Sequence, residues 1–137
     1  MIDLHIHSAF SGDGELSPEQ ILAQVYTSGL AYFSITDHND IRHRESVEKA
    51  LEEASRRQIG LAHYLPGVEI NSLHEGLDVH VLAYGSTLDQ EALRPLLTRL
   101  RASKEAQSLI RFERLRALGF TVNEQDITVL SGRRPIM

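Results

Sequence analysis

Six side chains of the types that bind metal ions recur near the ends of predicted strands. They are His5, His7, Asp13, His38, Glu69 and His80. His5 and His7 are two residues apart in a segment that alternates polar and apolar side chains, so both imidazoles project from one face of a strand and can reach one ion. The sequence contains no cysteine, which leaves His, Asp and Glu as its strong metal ligands. The pattern predicts a divalent-metal site.

Each of these residues has an ordinary explanation when it is considered alone. A single histidine in a strand is usually hydrogen-bonded or partly exposed. That interpretation is preferred for three other histidines, His43, His63 and His74. Asp13 lies between two glycines and is compatible with a turn, while Asp37 and Asn39 are compatible with capping the helix that follows. If every ordinary explanation were right, separate causes would have placed ligand-type residues at four predicted strand ends. One common site explains all of them together, so it is favoured.

Strands alternate with helices along the chain. Alternation or a buried apolar run predicts four strands: Met1 to Ser8, Ala31 to Thr36, Leu61 to Leu65 and Asp78 to Tyr84. Apolar residues at helical spacing predict three helices, which begin after a Ser17 cap, at Arg42 and near Asp89. Such alternation is typical of βαβ units and a mostly parallel sheet, whose functional sites lie at the carboxyl ends of the strands.

The composition is typical of one globular domain. The chain has 137 residues and a formal net charge of −5, which argues against a broad basic face that coats nucleic acid. No apolar run reaches the roughly 18 residues that a membrane span needs. The N-terminus lacks the basic and apolar segments of a signal peptide, so we expect a cytoplasmic protein that is not bound to a membrane.

Five segments in order closely resemble the successive motifs of the PHP domain, the family named for polymerases and histidinol phosphatase. They are Asp3 to Ser8 (DLHIHS), Ser11 to Pro18 (SGDGELSP), Ile35 to Asn39 (ITDHN), Pro66 to Ile70 (PGVEI) and Asp78 to Tyr84 (DVHVLAY). The resemblance is greatest to the stand-alone phosphoesterases, which include nucleoside 3',5'-bisphosphate phosphatases and 5'-to-3' exoribonucleases. It implies the N-terminal part of a distorted (β/α)7 barrel, with mostly parallel strands, flanking helices and a C-terminal helical segment.

The resemblance also implies a role for each candidate ligand in a cluster of two or three ions. His5 and His7 would bind the first ion, and Glu69 would bridge the first ion and the second. His80 would complete the second ion's ligands. Imidazole combined with a bridging carboxylate suits manganese, and alternatively zinc or iron, better than magnesium or calcium.

Four further residues would serve the same metal cluster. Asp13 and His38 would bind the third ion. Asp3 and Asp37 are candidates to orient ligating imidazoles, because a carboxylate often accepts the hydrogen bond of such a ring.

The implied reaction is hydrolysis of a phosphomonoester or phosphodiester in a nucleotide or short oligonucleotide. A metal-bound hydroxide, held by the ligands of the first two ions, would attack phosphorus, so no side chain need act as the nucleophile. Arginine commonly binds phosphate through two parallel hydrogen bonds. Arg133 and Arg134, in a predicted loop, are candidates for that contact.

The sequence departs from the family in its later part. Members of this branch are longer, and their later half supplies another histidine and an Asp-x-His pair, whereas no histidine follows His80 here. The branch also tends to carry two arginines in its long helix, where this sequence has Lys104 and Gln107. We assign residues 1–88 to the N-terminal half of the barrel, and residues 89–137 to the start of a helical insertion and a tail.

Four strands cannot close such a barrel, so edges and an apolar face would stay open to another chain. We therefore expect a fragment of a longer enzyme, or half of an assembly such as a homo-oligomer, with little activity alone. Two alternatives to the phosphoesterase stay open. One is a non-catalytic metal-binding or interaction module that retains half of the fold. The other is hydrolysis of C–N bonds, since amidohydrolases also use an H-x-H strand, although the segments around His38 and Glu69 favour the phosphoesterase.

Overall fold

The described part of the chain forms two small sheets and three helices. The computed structural model describes residues 1–57, 62–86, 88 and 90–122. The strands are β1 (Ile2–Ile6), β2 (Tyr32–Ile35), β3 (His63–Tyr64), β4 (Gly67–His74) and β5 (Leu77–Tyr84). The helices are α1 (Pro18–Thr27), α2 (His43–Arg56) and α3 (Gln90–Ala117). The predicted mixed α/β class, with helices between parallel strands, is confirmed.

The first sheet contains β1, β2 and β3 in that order, all parallel. Its core joins β2 to α1 and α2, and the buried apolar residues are Ile21, Leu22, Val25, Phe33, Ile35, Val47 and Ala62. Ile6 pairs with Ile35 at the carboxyl ends of β1 and β2. The residues that follow these two strands therefore lie side by side at one edge of the sheet.

Helix α1 begins and ends where the sequence predicts. The Ser17 hydroxyl accepts a hydrogen bond from the Gln20 backbone N–H (3.3 Å), and the Gln20 side chain accepts one from the Ser17 N–H (2.9 Å). These two bonds form the expected capping box. Gly29 follows the helix with a φ of 66°, and the Leu30 N–H bonds back to the Val25 carbonyl (3.2 Å). Glycine is favoured in this left-handed closure, which ends the helix before β2.

The sequence did not predict β4 as a strand, and β5 does not have the parallel arrangement that was expected. β4 and β5 form an antiparallel hairpin that begins with the pair Gly67 and Tyr84 and closes with the pair His74 and Leu77. The two connecting residues, 75 and 76, have φ values of 50° and 81°, as a tight hairpin turn requires. A parallel connection needs about a dozen residues or more, so this turn is too short for one. The expectation of a mostly parallel sheet therefore holds for β1 to β3 only.

The hairpin is attached to the first sheet through the loop after β2 and through α3. His38 and Glu69 form an isolated parallel bridge, and Val68 and Leu97 pack together in a second apolar core. Helix α3 continues through Pro95 as a single element of 28 residues. None of the helices in the described ranges combines the length and the apolar character that crossing a bilayer requires.

The hairpin presents an open apolar surface. Leu77, Val79 and Val81 are exposed on one face of β5, and Leu73 and Tyr84 are exposed on the other face of the hairpin. Among the described strands, β1 pairs only with β2, and β5 pairs only with β4. Open strand edges and an exposed apolar face were expected from the sequence, and both are present.

Candidate metal centre

The predicted ligands come from four places in the fold. His5 lies in β1 and His7 directly after it, while His38 lies in the loop that follows β2. Glu69 is the third residue of β4, and His80 lies in the middle of β5. Because the hairpin is antiparallel, Glu69 and His80 reach the site from within their strands. The expectation that each strand would contribute a ligand at its carboxyl end is therefore corrected for the hairpin.

The Glu69 carboxylate is at the centre of the cluster. Its Oε2 lies 2.8 Å from Nε2 of His7, 3.0 Å from Nε2 of His5 and 3.5 Å from Nδ1 of His38. Its Oε1 lies 2.8 Å from Nδ1 of His80. The Glu69 side chain is only 3% exposed, so one buried carboxylate faces four imidazoles.

Asp13 joins two of these imidazoles from the loop after β1. Its Oδ1 lies 2.8 Å from Nδ1 of His7, and its Oδ2 lies 3.2 Å from Nε2 of His38. The His7 ring therefore contacts Asp13 through one nitrogen and Glu69 through the other. The structure thus brings all six predicted ligands into one cluster.

Burial and the imidazoles act in opposite directions on the two carboxylates. Burial raises the pKa of Glu69, but the hydrogen bond from His5 and the charges of the neighbouring rings together lower it below its usual value. Burial also raises the pKa of Asp13, and the hydrogen bond and charge of His7 contribute to a larger lowering. For His38, burial lowers the pKa, while Glu69 and Asp13 oppose that shift. Near neutral pH the cluster offers ionised carboxylates and a neutral His38, which are the forms that bind divalent cations.

Asp37 links the chain segments that carry the ligands. Its carboxylate accepts hydrogen bonds from the backbone N–H and the hydroxyl of Ser8, both at 2.6 Å. Its backbone carbonyl accepts a hydrogen bond from the Glu69 N–H (3.2 Å). Because Ser8 follows His7 and Asp37 precedes His38, these bonds fix three ligand-bearing segments relative to one another.

The two carboxylates predicted to orient ligating imidazoles make other polar contacts. Asp3 accepts a hydrogen bond from the backbone N–H of His5 (3.2 Å). Besides Ser8, Asp37 faces His43, whose Nδ1 lies 2.8 Å from Oδ2. These contacts act on the backbone of β1 and on a residue outside the predicted ligand set. The orienting role of Asp3 and Asp37 stays a prediction.

His43 is a buried residue that the sequence pattern did not reveal. The charged residues around it indicated an exposed position, yet it is the first residue of α2 and is fully buried. A usable signal was its spacing of four residues from Val47, which places both side chains on the buried face of the helix.

The donor set fits divalent transition metals. Three groups of ligand atoms, each mutually within 4.8 Å, could hold an ion: His5 with His7 and Glu69, His7 with Asp13 and His38, and His38 with Glu69 and His80. Within the described ranges, Nδ1 of His38 is buried without a hydrogen-bond partner, as expected for a nitrogen whose partner is an ion. Combined imidazole and carboxylate ligands suit manganese, iron and zinc better than ions that prefer oxygen alone.

Basic side chains line two clefts beside this cluster. A cleft of about 260 Å³ next to His38 is bordered by Arg42, Arg101 and Lys104. A larger one of about 500 Å³ is bordered by Lys104 and Arg111. The helical spacing of these α3 residues was the sequence signal for a basic face, and it was missed. The predicted phosphate-binding residues lie outside the described residues: Arg133 and Arg134.

The mixed α/β fold and the cluster of histidines and carboxylates define the class of protein. The PHP domain family matches residues 3–121, which is most of the chain. The chain belongs to the PHP domain family, as the five motifs predicted. The 5'-3' exoribonuclease Rnm of Salmonella typhimurium is 30% identical over 113 residues, which cover 82% of this chain and 37% of that protein.

Two solved structures resemble almost the whole chain. A protein of Bifidobacterium adolescentis, provisionally described as a metal-dependent phosphoesterase, has a TM-score of 0.76 and 25% identity, over 98% of this chain and 44% of that one. An amidohydrolase of Chromobacterium violaceum, solved with bound sulfate and no metal, has a TM-score of 0.74 and 26% identity, over 96% of this chain and 47% of that one. The chain therefore spans less than half the length of each of these relatives.

Proposed function

We propose that the chain carries metal ligands of a phosphoesterase that hydrolyses a nucleotide or short oligonucleotide. One observation carries this proposal: the buried Glu69 carboxylate contacts imidazoles through both oxygens, with His7 at 2.8 Å from Oε2 and His80 at 2.8 Å from Oε1. A carboxylate that offers one oxygen to each of two ligand groups can bridge two ions. Membership of the PHP domain family supports the same chemistry.

The six ligands would be shared among up to three ions. The positions would be His5, His7 and Glu69 for the first, Glu69 and His80 for the second, and Asp13 and His38 for the third. Manganese is the preferred ion, with zinc and iron as alternatives that suit the same donors. When bound, such ions act as Lewis acids on phosphoryl oxygens and lower the pKa of water towards neutrality.

The protein's own contribution is a preorganised set of charges. Glu69 and Asp13 stay ionised because the imidazoles around them stabilise the charged form. Asp37 holds Ser8 and Glu69 at fixed positions, so His7 and Glu69 are placed before an ion binds. Electrostatic groups that are fixed in advance stabilise a transition state more than groups that must reorient. No side chain of the cluster is needed as a nucleophile.

The charges beside the cluster support a phosphorylated substrate. Arg42, Arg101 and Lys104 all border the cleft next to His38. Asp40 fixes the Arg42 guanidinium, with Nη2 at 2.6 Å from Oδ2. A fixed guanidinium is well suited to the tetrahedral oxygens of a phosphate group. The Salmonella relative is named an exoribonuclease, which favours a nucleotide or short oligonucleotide among phosphate esters.

We also propose that the site works together with a further segment or a second copy of the chain. In that arrangement residues 1–88 are one half of a barrel, and residues 89–137 begin a helical insertion and tail. The exposed Val79 and Val81 on the hairpin support this view, because an apolar strand face is usually covered. A covering segment would exclude water and add ligands. The isolated chain should therefore be much less active than a complete assembly.

Hydrolysis of a nucleoside 3',5'-bisphosphate and of a short 5'-phosphorylated RNA tests the function. The purified chain, with manganese present, is compared with a variant that combines His5→Ala and Glu69→Ala. The matched control combines His74→Ala and Glu53→Ala, two exposed positions. We expect phosphate from the bisphosphate or mononucleotides from the RNA with the chain and the control, and neither product with the cluster variant. If all three proteins release these products equally, or none does, the isolated chain is a non-catalytic module.

A second candidate function is hydrolysis of a C–N bond. It is supported by the likeness to the Chromobacterium violaceum amidohydrolase. The cleft beside His38 favours phosphate esters, since the amide group of a C–N substrate carries no charge for Arg42 or Arg101 to bind. An N-acyl amino acid, tested with the same metal-loaded protein, discriminates between the two. Turnover of the amide without turnover of the phosphate esters would replace the first proposal with the second.

A further inference from the structure

Asn71 connects the loop after β2 to one ligand of the candidate metal centre. It faces His80 across the hairpin, and its Nδ2 lies 3.1 Å from Nε2 of that ring. On the other side it makes two hydrogen bonds with Asn39: the Asn71 N–H donates to Oδ1 of Asn39, and Nδ2 of Asn39 donates to Oδ1 of Asn71, both at 3.0 Å. Asn39 is itself anchored, because its backbone N–H donates to the Glu69 carbonyl at 2.8 Å.

The orientation of both side-chain amides is set by one backbone group. A backbone N–H can only donate, so the Asn39 atom that meets the Asn71 N–H is the oxygen. The other Asn39 atom is then the nitrogen, which also can only donate, so it meets the oxygen of Asn71. The Asn71 nitrogen is left pointing at Nε2 of His80. Neither amide can be turned over without placing two donors or two acceptors together.

We propose that Asn71 is a positioning residue that holds the neutral His80 ring with its proton on Nδ1. A neutral imidazole carries its proton on one nitrogen and accepts a hydrogen bond at the other. Because Nε2 accepts from Asn71, Nδ1 is the protonated nitrogen, and it donates to Oε1 of Glu69 at 2.8 Å. His80 is therefore held between an amide donor and a carboxylate acceptor.

The consequence for metal binding rests on the proposed function. An ion bound at Nδ1 of His80 needs the lone pair of that nitrogen, so the proton of the neutral ring must move to Nε2. That proton would face the Asn71 amino group, donor against donor, unless the amide turned over and lost its bond to Asn39. The amide pair thus opposes binding by His80. The ion held by His5, His7 and Glu69 should fill at lower metal concentration than the ion that needs His80.

The position of the His80 proton can be measured without any metal. Long-range proton–nitrogen NMR spectra of metal-free, ¹⁵N-histidine-labelled protein in alkaline buffer distinguish a protonated ring nitrogen from a bare one, and His80→Asn assigns the signals. We expect the proton on Nδ1 in the unchanged chain. In Asn39→Asp, both oxygens of the new carboxylate are hydrogen-bond acceptors. The Asn71 side-chain amide should therefore turn over, so that its nitrogen faces the carboxylate and its oxygen faces His80. Nε2 should then carry a proton, although the changed residue does not touch the ring.

Two further variants test whether the change at His80 depends on the amide pair. Asn39→Gly removes the amide while glycine adopts the φ of 52° without strain, so Nε2 should carry a proton in only part of the molecules. Ser72→Asp adds the same charge next to Asn71 on the opposite face of β4 and should leave the proton on Nδ1. If Asn39→Asp does not fold, Asn71→Asp replaces it, because its carboxylate also presents only acceptors to His80.

The outcomes separate this inference from the proposed function. A proton on Nε2 in the unchanged chain, or an Nε2 that stays bare in the folded Asn39→Asp or Asn71→Asp variant, overturns the inference whatever the catalytic activity. Manganese titration followed by the same signals adds a second readout. Asn39→Asp should bind the ion that uses His80 about tenfold more tightly than Ser72→Asp does, a change typical of partners that orient ligands. Equal affinity in these two variants would overturn the effect on metal binding.

Discussion

Nδ1 of His43 lies 2.8 Å from Oδ2 of Asp37, and both side chains are fully buried. The same carboxylate accepts two hydrogen bonds from Ser8, so it is held from the β1 side and from α2. We predict that His43→Leu lowers the free energy of unfolding by about 1 to 3 kcal/mol, because it removes a polar neighbour of a buried carboxylate that keeps its two bonds from Ser8. Urea unfolding followed by circular dichroism measures this loss.

The matched control is His74→Leu. His74 is exposed at the end of β4, so the same replacement there should change the free energy of unfolding by no more than about 0.5 kcal/mol. Equal stability of the two variants would show that the contact between His43 and Asp37 contributes nothing to the fold.

The grouping of the ligands could be predicted from the sequence because it depends on local information. His5 and His7 share a face through simple strand alternation, and residue type alone separates Glu69 from its apolar neighbours. The direction of β5 could not be read in the same way, since alternation is identical in parallel and antiparallel strands. Only the two-residue turn before Leu77 distinguishes them, and it carries the signal that was missed.

Contacts between distant residues could not be predicted. His43 is buried because α2 packs its first turn against Asp37, while the charged residues that follow it in sequence indicate exposure. Asn39 and Asn71 are 32 positions apart, and nothing in either segment indicates that their amides pair. Both cases depend on how the loop after β2 meets its neighbours, which is tertiary information that overrides local patterns.

The loop that carries Asp13 should depend on Gly14. A Cβ at Gly14 would overlap the backbone carbonyl oxygen of Ser8, which cannot move without moving His7. We predict that Gly14→Ala lowers the free energy of unfolding by roughly 1 to 3 kcal/mol and weakens manganese binding, because the overlap displaces backbone. Gly12→Ala is the control, since its Cβ would meet nothing within 4 Å. Thermal melting and manganese titration should separate the two variants, and identical behaviour would show that the loop adapts freely.

Glu69→Gln should abolish most of the stabilisation by metal. In the unchanged chain, manganese at about one hundred times its dissociation constant should raise the free energy of unfolding by about 2.7 kcal/mol. Glutamine keeps the shape of the side chain but removes the charge that faces four imidazoles. Manganese affinity should therefore fall by more than about tenfold. Thermal melting with and without manganese measures both effects, and Glu53→Gln on the exposed face of α2 should melt like the unchanged chain.

Metal affinity should fall as the solution becomes acidic. Burial lowers the pKa of His38, against the opposing charges of Glu69 and Asp13, so this ring is neutral at pH 7. The pKa values of both carboxylates are lowered as well, so they stay ionised in mild acid. Because a protonated imidazole cannot bind a cation, affinity is full above the pKa values of the rings and is lost below them.

Manganese titrations at about pH 7.5 and about pH 5.5 measure this dependence, since the ordinary pKa of histidine lies between these values. Each imidazole that must lose its proton adds up to about tenfold per pH unit below its pKa. His38→Gln should show weaker binding at pH 7.5, because one ligand of the cluster is lost. An affinity that is unchanged between the two pH values would mean that carboxylate oxygens alone hold the ion, and the histidines would then have no part in binding it.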